Sequence, residues 1–235
     1  MIIKQYIVKP FYALRNKTFA KLYMAQNVSL LGDAFSWVGL ALLAHQLDSD
    51  RSPVILSLAL TLRVVAFILF SPLAGVLADK VDRKKILYIT HFIRMGIVSC
   101  FPFINAEWQI YVLVFSINVF NALFTPTYCS LITQIVEGKY YREAVGLSTA
   151  TFQILGILGP GFAGILAVWL GAREIFFVDT LTFAVAAVLI ISIPKQAIQK
   201  SITSVAESGR NTWTDVVTGL RPLLGNKLLR PALTI

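Results

Sequence analysis

Gly75-Val-Leu-Ala-Asp79-Lys80-Val-Asp82-Arg83-Lys84-Lys85 joins two long apolar runs, and its reading decides how the chain is built. Residues 54–78 before it carry one charge, Arg63, and residues 86–104 after it form a second run. At about 1.5 Å per residue, each run is long enough to cross a bilayer as a helix. The stretch therefore reads as a tight, highly charged turn between two membrane helices. Asp79 falls at a helix C-terminus, where the macrodipole favours cations, and Lys80, Arg83, Lys84 and Lys85 offset its charge. Gly75, one turn earlier, allows a second backbone to approach closely.

Composition agrees with this reading. The 235 residues are 57% hydrophobic and 14% charged, with mean hydropathy +0.72, whereas soluble domains carry about 25% charged residues. The net charge of +9 comes from basic residues lying between apolar runs. A membrane face explains that distribution, and no nucleic-acid partner is expected. Residues 1–21 have no short apolar core followed by a small-residue cleavage site, so no signal peptide is read. Cys100 and Cys129 fall in apolar runs near opposite membrane faces, so no disulfide is expected. No His/Cys cluster has metal-ligand spacing, and neither a phosphate-cradling glycine loop nor a catalytic carboxylate or histidine pair is present. No enzyme, metal or cofactor is expected.

Six apolar spans are expected, over residues 20–47, 54–78, 86–104, 108–135, 144–170 and 175–193. They are too long and continuous for membrane strands. Of the 21 Lys and Arg residues, Arg63 and Arg94 lie inside spans and only Arg51 and Arg173 lie on one side. The remainder lie on the other side: in the N-terminal segment, in the second-to-third and fourth-to-fifth connections, and after the sixth span. The positive-inside rule then places both ends of the six-helix unit in the cytoplasm. The expected organisation is an N-terminal cytoplasmic segment (1–19), a six-helix domain (20–194), a cytoplasmic linker (195–227) and the start of a seventh helix (228–235). In the linker, Trp213, Val216, Val217, Leu220, Leu223 and Leu224 recur at helical spacing, which suits a surface amphipathic helix or a plain linker helix equally.

The charged turn resembles the loop signature of the major facilitator superfamily of secondary transporters. That signature is Gly-x-x-x-Asp-(Arg/Lys)-x-Gly-(Arg/Lys)-(Arg/Lys), between the second and third helices. Gly75, Asp79, Lys80, Arg83 and Lys84 occupy its positions, while Asp82 stands where the pattern has glycine. In this it looks like the branch containing enterobactin and macrolide exporters. A second signature, on the fifth span, is similar to the family's exporter-associated glycine-proline motif. Gly146, Gly159, Pro160 and Gly164 match it, and Leu155 and Ala163 replace two glycines. The resemblance implies an all-α membrane protein: the N-terminal, six-helix half of a transporter, made of two inverted three-helix repeats. It implies alternating access around a midplane site, with the loop residues controlling conformational exchange. The substrate class would be small molecules such as a drug, a macrolide or a siderophore, exported in exchange for protons.

Polar residues inside the spans are the candidate cavity and coupling groups. Gln26, Ser29, Asp33 and Ser36 form one stripe on the first span, Asn118, Asn121 and Thr125 another on the fourth, and Thr149 and Gln153 a third on the fifth. The resemblance makes each stripe a candidate cavity wall, with interhelical hydrogen bonding as the alternative. A charge at the bilayer centre costs about 2.5–3.5 kcal/mol on insertion scales. Asp33 and Arg63 lie at nearly matched depth, so they are expected to pair, with Asp33 the best carboxylate to carry a coupling proton. Arg94 is expected to snorkel or to meet Asp79 or Glu143, and Asp179 to be structural, as are the lone His45 and His91. A six-helix half is expected not to transport alone: it needs its C-terminal half or self-association to cover the cavity face. The alternative class is a non-transporting truncated membrane protein or half-transporter.

Overall fold

The computed structural model describes residues 9–136 and 138–194. The linker and seventh-helix expectations, over residues 195–227 and 228–235, lie outside the described residues. Gly75, Asp79 and Lys80 are described as backbone only. After a 3₁₀ segment (Lys9–Arg15) come six helices: α1 Lys17–Leu47, α2 Ser52–Lys80, α3 Arg83–Val98, α4 Glu107–Ile135, α5 Gly138–Leu170 and α6 Ile175–Ile191. No strand occurs among the described residues.

Local chemistry sets the helix ends. Asn16 caps α1, its side-chain oxygen accepting from the N–H groups of Thr18 and Phe19, while its Nδ2 donates to the Ile135 carbonyl at 2.9 Å. One side chain thus satisfies an N-terminal donor of α1 and a C-terminal carbonyl of α4. Asp48 closes the next turn by accepting from the N–H groups of Asp50 and Arg51. Asp82 caps α3 by accepting from the Lys84 N–H at 2.9 Å. This explains the acid where the superfamily pattern has glycine: α2 and α3 are separated by two residues, and the second must cap a helix. Gly171, at φ +107°, ends α5 in a conformation that other residues rarely adopt.

Among the described residues, five helical stretches are long and apolar enough to cross a bilayer, the third being α3 continued through the 3₁₀ turn Phe101–Phe103. α6 is apolar throughout but has 17 residues, about 26 Å of helix. α1 packs on α6 and α5, α4 on α3 and α2, and α3 on α6. Exchanging α1 with α4, α2 with α5 and α3 with α6 reproduces this neighbour pattern, as two three-helix repeats require. α2 and α5 flank the body: 17% of each one's apolar window is buried, against 39–44% for α1, α3 and α4, so most of their surface faces outward.

The core is split in two along the helix axes. At the end near the charged turn, Phe19, Leu22, Leu87, Leu131, Ile132, Ala186 and Ile190 pack together. At the other end the packed residues include Leu43, Ile55, Val98, Ile110, Ile175 and Phe176. Between them lie the buried polar residues Ser29, Thr90, His91, Arg94, Asn118 and Asp179. Polar groups gathered at mid-length of apolar helices oppose burial in lipid and need partners within the protein.

Candidate site: a polar layer at mid-depth

The layer is centred on Arg94 of α3, 2% exposed. Its Nη2 donates to both oxygens of Asp33 on α1, at 2.7 and 2.9 Å. Its guanidinium carbon lies 4.1 Å from the ring centre of Phe183 and 5.7 Å from that of Phe124, so two π-faces support the charge. Ser29, one turn from Asp33, lies 3.5 Å from Arg94 Nη1. Asp33 is 27% exposed where Arg94 is 2%, so the pair has a buried side and an open side.

Behind the pair, Asp179 of α6 is fully buried. Ser36 Oγ donates to its Oδ2, and Thr182 Oγ1 lies 2.9 Å from its Oδ1. Gly32 makes the approach possible, because a Cβ there would overlap Thr182 Oγ1 and Asp179 Oδ1. His91 is fully buried one turn from Arg94, against the same two rings, Phe124 at 4.8 Å and Phe183 at 5.8 Å. Neither of its ring nitrogens has a hydrogen-bond partner.

This corrects two expectations. Asp33 pairs with Arg94, not Arg63. Arg63 is exposed on α2, its guanidinium 5.0 Å from the Trp37 ring centre. Matched depth placed the two charges at one height, but α1 turns its Asp33 side to α3. Arg94 accordingly does not snorkel: it is buried, and the carboxylate that it meets is Asp33. Asp179, expected to be structural, lies beside the same pair: its Oδ1 fills the place of a Cβ on Gly32, next to Asp33, and Phe183, one turn on, carries the Arg94 guanidinium.

The α4 stripe is bonded largely within its own helix. Asn118 Nδ2 donates to the Val114 carbonyl at 2.7 Å, Asn121 Nδ2 to Asn118 Oδ1 at 3.3 Å, and Thr125 Oγ1 to the Asn121 carbonyl at 3.1 Å. Asn118 is buried and Thr125 exposed. On α5, Thr149 and Gln153 are exposed, whereas Thr151 meets the Tyr23 hydroxyl at 2.5 Å. Of the glycine-proline motif, Gly159 faces α1, where a Cβ would come 2.7 Å from Ala34 Cβ. Gly146 and Gly164 have open space there, and Pro160 is exposed. Gly159, Ala163 and Ala167, spaced one turn apart, are buried on one side of α5, so the alanine in a glycine position still lies on a packed face.

At the charged turn, Arg83 is half-buried and Lys84 is 7% exposed. Lys84 Nζ donates to the carbonyls of Ile191 and Ile193 at 2.8 and 2.6 Å, and Lys21 Nζ to that of Ser192 at 2.9 Å. Two cations thus close the C-terminus of α6, where the helix dipole is negative. At the opposite end Arg51 pairs with Glu107 at 2.8 Å and Arg173 donates to the Pro102 carbonyl at 2.7 Å. Among the described residues, no group of three or more His, Cys, Asp or Glu is placed to hold a metal ion.

The family model for the Major Facilitator Superfamily matches residues 22–235. YfiS of Bacillus subtilis, an uncharacterized MFS-type transporter, is 28% identical over 94% of this chain and 52% of its own length. Macrolide efflux protein A of Streptococcus pyogenes is 26% identical over 75% of this chain and 45% of its own length. The multi-drug resistance efflux pump PmrA of Streptococcus pneumoniae is 29% identical over 68% and 40% respectively. The chain spans about half the length of the curated relatives it matches.

Proposed function

Since the chain belongs to the Major Facilitator Superfamily, we propose that it is the N-terminal six-helix body of a proton-coupled exporter of small organic molecules. The observation that carries this reading is the polar layer: a buried Arg94 holding a partly open Asp33 at mid-depth between two apolar clusters. A midplane site with one open side is what alternating access needs. Export of a drug or macrolide is favoured by relatives named as macrolide and multi-drug efflux proteins. Asp33 is the carboxylate placed to exchange a proton with the cavity.

In this reading the ends of the six-helix body lie in the bacterial cytoplasm. The two basic residues in connections at the other end are engaged locally, Arg51 by Glu107 and Arg173 by a carbonyl, which leaves the sparse face little free positive charge. Gly75, Asp79, Lys80, Arg83 and Lys84 act as the conformational switch at the cytoplasmic rim. A second six-helix body, from the C-terminal half or a second copy, covers the outward faces of α2 and α5 and completes the cavity.

The test is accumulation of radiolabelled erythromycin and a panel of cationic dyes in drug-sensitive cells expressing the protein with its complementary half. Lower accumulation, restored by an uncoupler and by Asp33→Asn, is the expected result. Unchanged accumulation of every compound, with the protein present in the membrane, contradicts the reading.

A further inference from the structure

The polar layer holds two carboxyls, Asp33 and Asp179, against one guanidinium, Arg94. With both carboxyls ionised the cluster carries one uncompensated negative charge in a buried site, which is costly. One proton makes it neutral. The contacts say which carboxyl takes it. Both oxygens of Asp33 accept from a guanidinium, which can only donate, so the contact suits a carboxylate and offers an Asp33 O–H no acceptor. Asp179 meets side-chain hydroxyls, of Ser36 and Thr182, and a hydroxyl donates or accepts, so it satisfies a carboxylate and a carboxylic acid alike.

We propose that Asp33, Arg94 and Asp179 form a single-proton site, with the proton on the Asp179 carboxyl while Arg94 is closed on Asp33. When Arg94 turns to Asp179, the O–H bond of Asp179 breaks and an O–H bond forms on Asp33, where the proton meets the open side. The cluster stays neutral in both states. Ser36, which bonds Asp179 and lies one turn from Asp33 on α1, is the hydroxyl placed to pass the proton. The charged groups beside Asp179 are Asp33 from α1, next to the Gly32 that Asp179 packs on, and Arg94 from α3, which lies over Phe183 one turn along α6. His91 of α3 is the remaining titratable group against Phe183. Its two buried, unpartnered nitrogens give an imidazolium no acceptor, so it does not take the proton's place. The unpartnered Arg94 Nε–H is a buried donor free to take up a second carboxylate arrangement. As a coupling site the cluster rests on the exporter reading; as a proton site it does not.

Infrared difference spectroscopy on the protein in lipid nanodiscs, with isotope-labelled aspartate, reads protonated aspartate carboxyls directly. At neutral pH the unaltered protein should show one such band, shifted in heavy water. Asp179→Asn should remove it. Asp33→Asn should remove it too, because Arg94 then neutralises Asp179 alone. Arg94→Gln should double it, and His91→Gln should leave it in place. An unaltered protein with no band, or a band at full strength in Asp33→Asn, overturns the proposal. If Asp179→Asn does not fold, the Asp33 and Arg94 variants still decide. A missing band leaves drug extrusion to stand on its own assay, and the expected bands without extrusion remove the exporter reading alone.

Discussion

Arg94 on α3 closes on Asp33 of α1 through a single nitrogen, Nη2, that reaches both carboxylate oxygens at 2.7 and 2.9 Å. Both helices belong to the first three-helix repeat and both pack on α6, so the pairing ties α1 to α3 across the polar layer. Breaking a buried pair from one side leaves an unmatched charge, at a cost of about 3–5 kcal/mol.

The first prediction follows from that. Arg94→Gln should destabilise the protein strongly in denaturant titrations in mild detergent, Asp33→Asn less, because Asp179 then ionises to match Arg94, and the double variant should cost less than the two singles added. Arg63→Gln should cost no more than about 1 kcal/mol, the worth of an exposed cation–π contact with Trp37. A large loss at Arg63 with additive behaviour at Arg94 and Asp33 would restore the pairing expected from depth.

Depth is the coordinate the sequence makes readable. Six spans, the charged turn between α2 and α3 and the mid-depth height of Asp33 follow from run lengths and hydropathy alone. Azimuth does not, and sequence order does not reveal the packing partners of α1, which lies against α6 and α5 more than against α2. Arg94 and Asp179 were visible as charges inside spans, but nothing local to either says that they share a site. Gly32 was a usable sign, a glycine on the Asp33 stripe, since only a missing Cβ admits Asp179 so close. Asp82 was legible by a local rule as well, an acid just before a helix.

Capping by Asp82 has a measurable scale. Asp82→Ala should cost about 0.5–2 kcal/mol, Asp82→Gly only a few tenths, and Asp82→Asn little. Thermal unfolding of the three variants checks the order. This is also why glycine can hold the same position in the superfamily pattern.

Lys84 should act as a clamp on the end of α6. In Lys84→Met the carbonyls of Ile191 and Ile193 lose a charged donor, worth about 1.5–3 kcal/mol. Hydrogen exchange should rise in the last turn of α6 and not at the start of α1. Lys84→Arg should recover part of the protection, and equal exchange in all three proteins would show that the bond carries no load.

Within α5, Gly159→Val should disrupt the α1 seam, since even the first carbon meets Ala34 at 2.7 Å. Gly164→Ala meets nothing within 4 Å and should leave this body's stability within about 0.5 kcal/mol. If Gly164→Ala then impairs transport while the body remains stable, its surface works against the second six-helix body. Detergent stability and efflux measured on the same preparations separate the two effects.

The most direct test of proton-coupled export is proton flux driven by a substrate gradient. The protein, with the half that completes it, is reconstituted in liposomes holding a pH-sensitive dye, and a macrolide gradient is imposed with no initial pH difference. The account predicts proton movement opposite to the macrolide, abolished by Asp33→Asn and unaffected by Arg63→Gln. Macrolide movement with no accompanying proton flux, or undiminished flux in Asp33→Asn, would contradict it.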